Sequence, residues 1–358
     1  MRVLVRKVLV DSIAPMANAD TLELARIKGW QCVVRKGEFR PGAIALYFEI
    51  DSALPYDDPR YEFLRSRCAK TWKDSAGAIL KRVIRIRTLT LRGELSQGLL
   101  LPTDGFPETA GIPIGEDCAA VLGVEHYDEV REKYDAMTGK AKIAGETMGG
   151  YPWFLQKSDE ERIQNLGDDF VREHAAERFE ATEKRDGCSV TYFYAPEECP
   201  EAPFGICSRN LRLKDSGDSV FVRAADSFAI RDKLKAFGPP IAIQGEITGP
   251  GINGNRDRLV DIAFEVYRVF LKSTTQSSWE PAAPDVARSA VRLLGLQYVP
   301  VLADSVPLGE CGATVADLLK YAEGKTANGN PREGVVFKGV DSNIHFKAVS
   351  NAYLLKEK

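Results

Sequence analysis

Strands that follow one another without helices between them constrain this chain most. From Phe179 onward, β-prone apolar runs recur at Cys188–Tyr194, Gly205–Asn210, Ile241–Thr248, Asp261–Phe270, Gly334–Lys338 and Asn343–Val349. Two helical stretches interrupt them. One is about Asp285–Leu294 with Gly295 as C-cap, and the other about Val315–Glu323 between Thr314 and Gly324. Strict strand–helix alternation would demand a parallel, doubly wound sheet; its absence predicts an antiparallel α+β domain. Nearer the start, Arg2–Val10, Leu22–Gly29, Gln31–Val34, Ala43–Ile50 and Lys81–Arg92 read as short strands with a Pro41-Gly42 turn, a pattern that a small OB-type barrel and other small barrels fit equally well. Within Lys81–Arg92, Ile84 and Ile86 share one face and Arg85 and Arg87 the other, while Leu89 and Leu91 fall on the arginine face. A bulge or coil is therefore expected near Thr88.

These patterns predict an OB-like domain over 1–102, a poorly patterned connector over 103–150, and an α+β domain over 151–358. Ser158 and Glu161 form a capping-box pattern that predicts a short helix through Asn165, with a second helical stretch over Asp168–Arg178. At 358 residues the chain is long enough for two cores.

Charge separates the same regions. Residues 1–102 hold 18 Lys/Arg against 11 Asp/Glu, and the remainder 30 against 40. Between 60 and 92, ten basic residues face only Glu62 and Asp74. A basic module on an acidic protein fits a polyanion partner or a plain solvated surface, and the charge run alone leaves both open. The seven cysteines are scattered with no C-x-x-C pair, which predicts neither a disulfide framework nor a zinc ribbon and fits a reducing, cytoplasmic setting. No apolar run has the length a membrane helix needs, and charges within the first seven residues predict no signal peptide. Gly249-Pro-Gly251-Ile-Asn-Gly254 matches a dinucleotide fingerprint, but a β-rich run follows it where a helix is required, so it reads as a loop. There is no P-loop, and the three histidines lie far apart.

Several polar residues sit where they demand an explanation. Lys184 and Asp186 are two apart before Gly187 and a clear strand, so an extended segment puts both on one face. Such a lysine could be a nucleophile beside a carboxylate, or the segment a surface turn. Glu246 lies inside an apolar strand, and Glu333 enters another; a buried carboxylate must be paired or functional. Phe264 on its own reads as core, and Lys347 as an ordinary strand lysine.

In order, these segments resemble the covalent nucleotidyltransferases: RNA ligases, DNA ligases and capping enzymes. Lys184-Arg-Asp186-Gly187 matches motif I of that superfamily, and Ser208-Arg209-Asn210 resembles motif Ia. Gln244-Gly-Glu246 with Gly249-Pro-Gly251 resembles motif III, Phe264 sits in motif IIIa, Glu333-Gly-Val-Val336 resembles motif IV, and Lys347 falls at motif V. Only eleven residues follow Lys347, too few for the C-terminal OB domain of DNA ligases and capping enzymes. The OB-like module is N-terminal, and Lys157–Asn165 resembles a segment before motif I of RNA ligases. The arrangement is similar to the Naegleria- and Deinococcus-type ATP-dependent RNA ligases. Motif V departs from the common K-x-K, and alternation counted from Glu333 puts Lys338 on the opposite face, which leaves the second phosphate contact unassigned.

The resemblance implies ATP with Mg²⁺ or Mn²⁺, Lys184 as the nucleophile that becomes lysyl-AMP, and joining of RNA 3′-OH and 5′-phosphate ends in RNA repair. It implies that Asp186, Glu246 and Glu333 hold the metal. Glu183 would meet the adenine edge, Phe264 would stack on the base, and Lys347 would contact phosphate, with Glu246 and Glu333 also at the nucleotide. Arg209 would position the ribose or the RNA end, while Arg82, Arg85 and Arg87 would bind RNA. No membrane or protein partner is implied. Another superfamily enzyme, a DNA ligase or a capping guanylyltransferase, and a non-catalytic OB-type RNA-binding protein are the alternatives.

Overall fold

The computed structural model describes residues 3–17, 19–138, 145–273 and 278–355. Arg2 of the first expected strand and residues 139–144 of the expected connector lie outside them. The chain divides into two compact units, residues 1–141 with 164–167, and residues 142–163 with 168–358.

The first unit is built from short antiparallel strands. Ile44–Phe48 is paired on one side with Val5–Leu9 and on the other with Leu99–Pro102. A second sheet runs Glu125–His126, Ser52–Pro55, Ile79–Arg85, Ala69–Lys73. Phe48, Leu54, Tyr61, Ile84 and Phe106 lie in one core. The expected break in the arginine-rich run is real: the strand ends at Arg85, and a new one, Thr88–Leu91, pairs with Glu94–Gln97. Residues read as connector also carry packing duties, since Phe106, Cys118, Leu122 and Val124 belong to this same core.

The second unit holds two sheets. One runs Thr147–Gly150, Leu211–Leu213, Phe204–Cys207, Cys188–Tyr194, Ile241–Thr248, Ala263–Lys272, Trp279–Pro281, and the other Glu161–Arg162, His345–Val349, Gly334–Gly339, Arg178–Lys184, Val301–Pro307. Almost every pairing is antiparallel; Glu161–Arg162 with His345–Val349 and Gln297–Tyr298 with Ala263–Lys272 are parallel. Ile241–Thr248 is buried along nearly its whole length because strands flank it on both sides, which explains its unbroken apolar run. The α+β class follows, as the sequence predicts.

Helix ends obey local chemistry. Pro284–Leu293 opens with Pro at its first turn and carries Asp285 there and Arg292 in its last turn. Val315–Ala322 is capped by a reciprocal Thr314–Asp317 capping box. The capping box expected at Ser158 does not form. Glu161–Arg162 pairs with a strand instead, and the helix spans Ile163–Glu173 with a non-helical Gly167 at φ 84°. Sheet hydrogen bonds at 161–162 outcompete the local cap. The sequence reading also misses the helices Val220–Ser227 and Ile230–Ala236. Val220-Phe-Val222 looks like a strand, but Ser219 accepts from Val222 N–H and sets the first turn.

Candidate active site

The chain passes from one sheet of the second unit to the other within three residues. Arg178–Lys184 ends in the second sheet, Cys188–Tyr194 begins in the first, and Arg185–Gly187 make the crossover. A side chain at Lys184 therefore meets groups from both sheets. Its Nζ donates to Glu333 Oε1 at 2.6 Å, and the Lys184 side chain is 26% exposed. Glu246 lies in the first sheet, where its Oε1 accepts from Gly187 N–H at 3.1 Å. Gly187 is dictated by space rather than by backbone freedom: a Cβ there would lie 2.2 Å from Ile247 O.

Electrostatics tie the group together. Burial alone would lower the Lys184 pKa, but Glu333 and then Glu246 outweigh it and hold the amine above the ordinary lysine range, against Arg209. Burial pushes Glu246 up to about 8, opposed by Lys184. Burial also raises Glu333, opposed by Lys184 and reinforced by Asp186. One ammonium thus serves two half-buried carboxyls. Lys347 and Arg209 share Asp159, at 3.8 and 3.3 Å. Neighbouring Glu160 pairs with Arg268 at 2.9 Å, and its carboxyl is held down to about 2: burial opposes this, and Arg268 and Lys347 overcome it. The sequence reading singled out neither acid, although both lie in the segment it compared with RNA ligases.

Asp186 is held elsewhere in the cluster. Its Oδ1 accepts from Asn253 Nδ2 at 3.1 Å, and Arg256 Nε stands 3.2 Å from Oδ2. Among the described residues no three His, Cys, Asp or Glu side chains close on a common point as a metal-ligand set. The expected trio of Asp186, Glu246 and Glu333 is therefore neighbouring but not convergent, because Lys184 neutralises Glu333 and Asn253 and Arg256 draw Asp186 aside. Two under-compensated carboxyls still fit a cation that meets them through its own waters.

An open cleft of about 410 Å³ is lined by Glu183, Lys184, Asp186, Ile252, Arg256, Glu333 and Tyr353, among others. Glu183 is buried and paired with Arg185 at 2.6 Å; the same guanidinium reaches Glu265 at 2.6 Å. Phe264 departs from its expected role. It is 2% exposed and packs edge-to-face on Tyr192 in the core. Glu246 faces Glu265 in the strand register, so the next pair, Ile247 and Phe264, points to the other side of the sheet.

Lys338 also departs. Glu180, Thr182 and Lys184 oppose Lys338, Val336 and Gly334, and Lys347 opposes Val336, so Lys338 shares the face of Lys184 and Lys347. Glu333 precedes the strand, which is why alternation counted from it misleads. The Lys338 amine donates to Glu180 at 3.2 Å, Tyr267 O at 2.7 Å and Tyr298 Oη at 2.9 Å.

Of the arginines expected to meet RNA, Arg85 is structural. It is 8% exposed, pairs with Asp51 at 2.8 Å and stacks 4.4 Å from the Tyr127 ring centroid. Both faces of its strand are covered, one by the barrel core and the other by Tyr127 and Val130 of the helix Tyr127–Met137. Arg82 lies over Tyr56 at 4.4 Å. Arg87 stands in the gap between two strands and is half-buried.

Comparisons with known proteins settle the family. An RNA ligase model matches residues 177–351, and an OB-fold domain model matches residues 3–103. The solved structure of Naegleria gruberi RNA ligase with PPi is 33% identical, with a TM-score of 0.84 over 100% of this chain and 99% of that one. The chain belongs to the RNA ligase family. A point mutant of the Naegleria enzyme with ATP and Mn matches at 33% identity and TM-score 0.82, over 99% of this chain and 98% of the other. Another mutant, with AMP and Mn, gives 33% and 0.83 over 99% of each. No curated protein sequence matches. The first unit thus contains an OB fold, and the protein is a ligase, which sets aside the capping-enzyme and non-catalytic alternatives. No described helix is long and apolar enough to cross a membrane.

Proposed function

We propose that this ligase uses ATP to join a 3′-hydroxyl and a 5′-phosphate of RNA through lysyl-AMP on Lys184. The observation that carries the reading is the Lys184 amine at the crossover, 2.6 Å from Glu333 and within the fields of Glu246 and Arg209. The Naegleria structures with ATP or AMP and Mn support the nucleotide and the metal.

Three transfers make up the reaction. The Lys184 amine, having lost a proton, attacks the α-phosphorus; a P–N bond forms and the bond to pyrophosphate breaks. An oxygen of the RNA 5′-phosphate then attacks the adenylate, the P–N bond breaks and Lys184 regains a proton. The 3′-hydroxyl attacks the activated 5′-phosphate, loses its proton, and AMP leaves. Phosphoryl transfer rests on positioning and charge neutralisation. Lys347 and Arg209 would supply fixed positive charge to the phosphates, and Glu183 would line the base pocket. Glu246 and Glu333 would hold Mg²⁺ or Mn²⁺ through its waters, with Asp186 beside them but held by Asn253 and Arg256. The bound ion supplies further neutralisation and draws the Lys184 pKa down. Broken or nicked RNA is the substrate class, and RNA repair is the process such a reaction serves.

Intact mass after mixing with ATP and Mn²⁺ tests this. The wild type should gain one AMP; Lys184→Ala, or addition of EDTA, should abolish the gain. An adduct that survives Lys184→Ala would overturn the assignment.

A further inference from the structure

The loop between the strands Ile241–Thr248 and Ala263–Lys272 carries the glycine-rich stretch that matches a dinucleotide fingerprint, and the structure gives it another task. It is a tight coil in which Asn253, Asn255 and Arg258 all have positive φ, a conformation that asparagine tolerates better than most residues. The Asn255 side chain ties the coil to itself. Its Nδ2 donates to Leu259 O at 2.8 Å, and its Oδ1 accepts from Leu259 N–H at 2.9 Å. Asp257 anchors the far side, its Oδ1 accepting from Thr326 Oγ1 at 2.8 Å and from Asn330 Nδ2 at 3.1 Å.

Between these anchors the loop presents two side chains to one carboxylate. Asn253 Nδ2 donates to Asp186 Oδ1 at 3.1 Å and to Gly187 O at 2.8 Å. Arg256 Nε stands 3.2 Å from Asp186 Oδ2, and its guanidinium is propped over the Tyr353 ring, 4.1 Å from the centroid. The two side chains are 34% and 18% exposed, and both line the cleft that Lys184 and Glu333 also line. The Lys184 ammonium is spent on Glu333, so the cation in contact with Asp186 is Arg256. A guanidinium and a divalent ion that draw on one carboxylate repel each other, and each weakens the hold of the other by the same factor.

We infer that Arg256 is a resident counter-cation that withholds Asp186 and thereby sets the concentration at which a divalent cation enters the site. The inference rests on the ligase reading for the identity of that cation. Arg256 is a positioning residue, acting through Asp186.

Titration of the nucleotide-free protein with Mn²⁺, with the free ion counted by electron paramagnetic resonance, tests this without turnover. Arg256→Gln should bind Mn²⁺ about three- to fivefold more tightly than wild type, and Arg256→Lys, which keeps the charge but not the fork, should fall between them. Arg258→Gln removes an equal charge from an exposed position of the same loop and should leave the affinity unmoved. In an Asp186→Asn background, Arg256→Gln should give no further gain. Mn²⁺ binding that appears only once Arg256 is replaced also supports the inference. Four results overturn it: equal or weaker binding by Arg256→Gln, a gain that persists without the Asp186 carboxylate, an equal gain from Arg258→Gln, or no Mn²⁺ binding by any variant. Should Arg256→Gln not fold, Arg256→Lys decides, and wild-type affinity there overturns the inference. Failure of the ligase reading is a different measurement, a wild type that gains no AMP from ATP and Mn²⁺.

Discussion

At the scale of single residues, the nucleophile is stored in the wrong protonation state. Glu333 and Glu246 keep Lys184 above the ordinary range despite burial. Even at a reference pKa of about 10.4, fewer than one amine in about a thousand is neutral at pH 7. Only the neutral amine attacks, so the rate of adduct formation should climb with pH from 6 to 9, by up to about tenfold per unit. Quenched-flow sampling of the adduct would show it, and a flat profile would contradict the protonated resting state. Glu246 carries a second consequence. Its pKa, pushed up to about 8, exceeds that of the unfolded chain, so stability attributable to it is full below about pH 4.5 and lost as pH rises through 8. Without metal, Glu246→Gln should therefore match wild type in Tm near pH 4.5 and exceed it near pH 8, while failing to form the adduct. An equal Tm difference at both pH values would refute the raised carboxyl.

At the scale of elements, two features hold the crossover. Gly187→Ala places a methyl group 2.2 Å from Ile247 O and 2.9 Å from Glu246 Cγ. Overpacking of this kind costs about 1–3 kcal/mol and shifts the backbone. The variant should lose stability in urea and most of its adduct formation together. Behind Lys184 on the same strand, fully buried Glu180 joins Arg288, Lys338 and Tyr298 from three other elements. Glu180→Gln leaves two cations under-compensated and should cost about 3–5 kcal/mol in denaturant unfolding. A loss below about 1 kcal/mol would show that the network is dispensable.

Strand positions at this scale were legible because alternation and β-branched runs survive in the tertiary structure: Cys188–Tyr194 and Ile241–Thr248 run from end to end as expected. Ser158–Glu161 misled and the helix Val220–Ser227 went unread, for opposite reasons. A sheet recruited the first away from its cap, and a cap at Ser219 made a helix of the second.

At the scale of the whole molecule, each unit has a core of its own, around Phe48 and Tyr61 in the first and around Tyr192 and Ile243 in the second. Separate cores predict calorimetric unfolding that is not two-state. ATP with Mn²⁺ should move the transition of the second unit, by mass action, more than that of the first. A single transition displaced as a whole would show that the units unfold together.

The amino-acid sequence by itself determined the strand-rich α+β class, the position of the basic module and the ordered series Lys184, Glu246, Glu333, Lys347, because periodicity, composition and motif order are local properties of the chain. Only the tertiary structure decided which charges are spent. Arg85 went to Asp51, Lys338 joined the face of Lys184, Phe264 turned into the core, and Asp159 and Glu160 entered the site. Pairing, burial and sheet face depend on partners distant in sequence, and no local pattern records them.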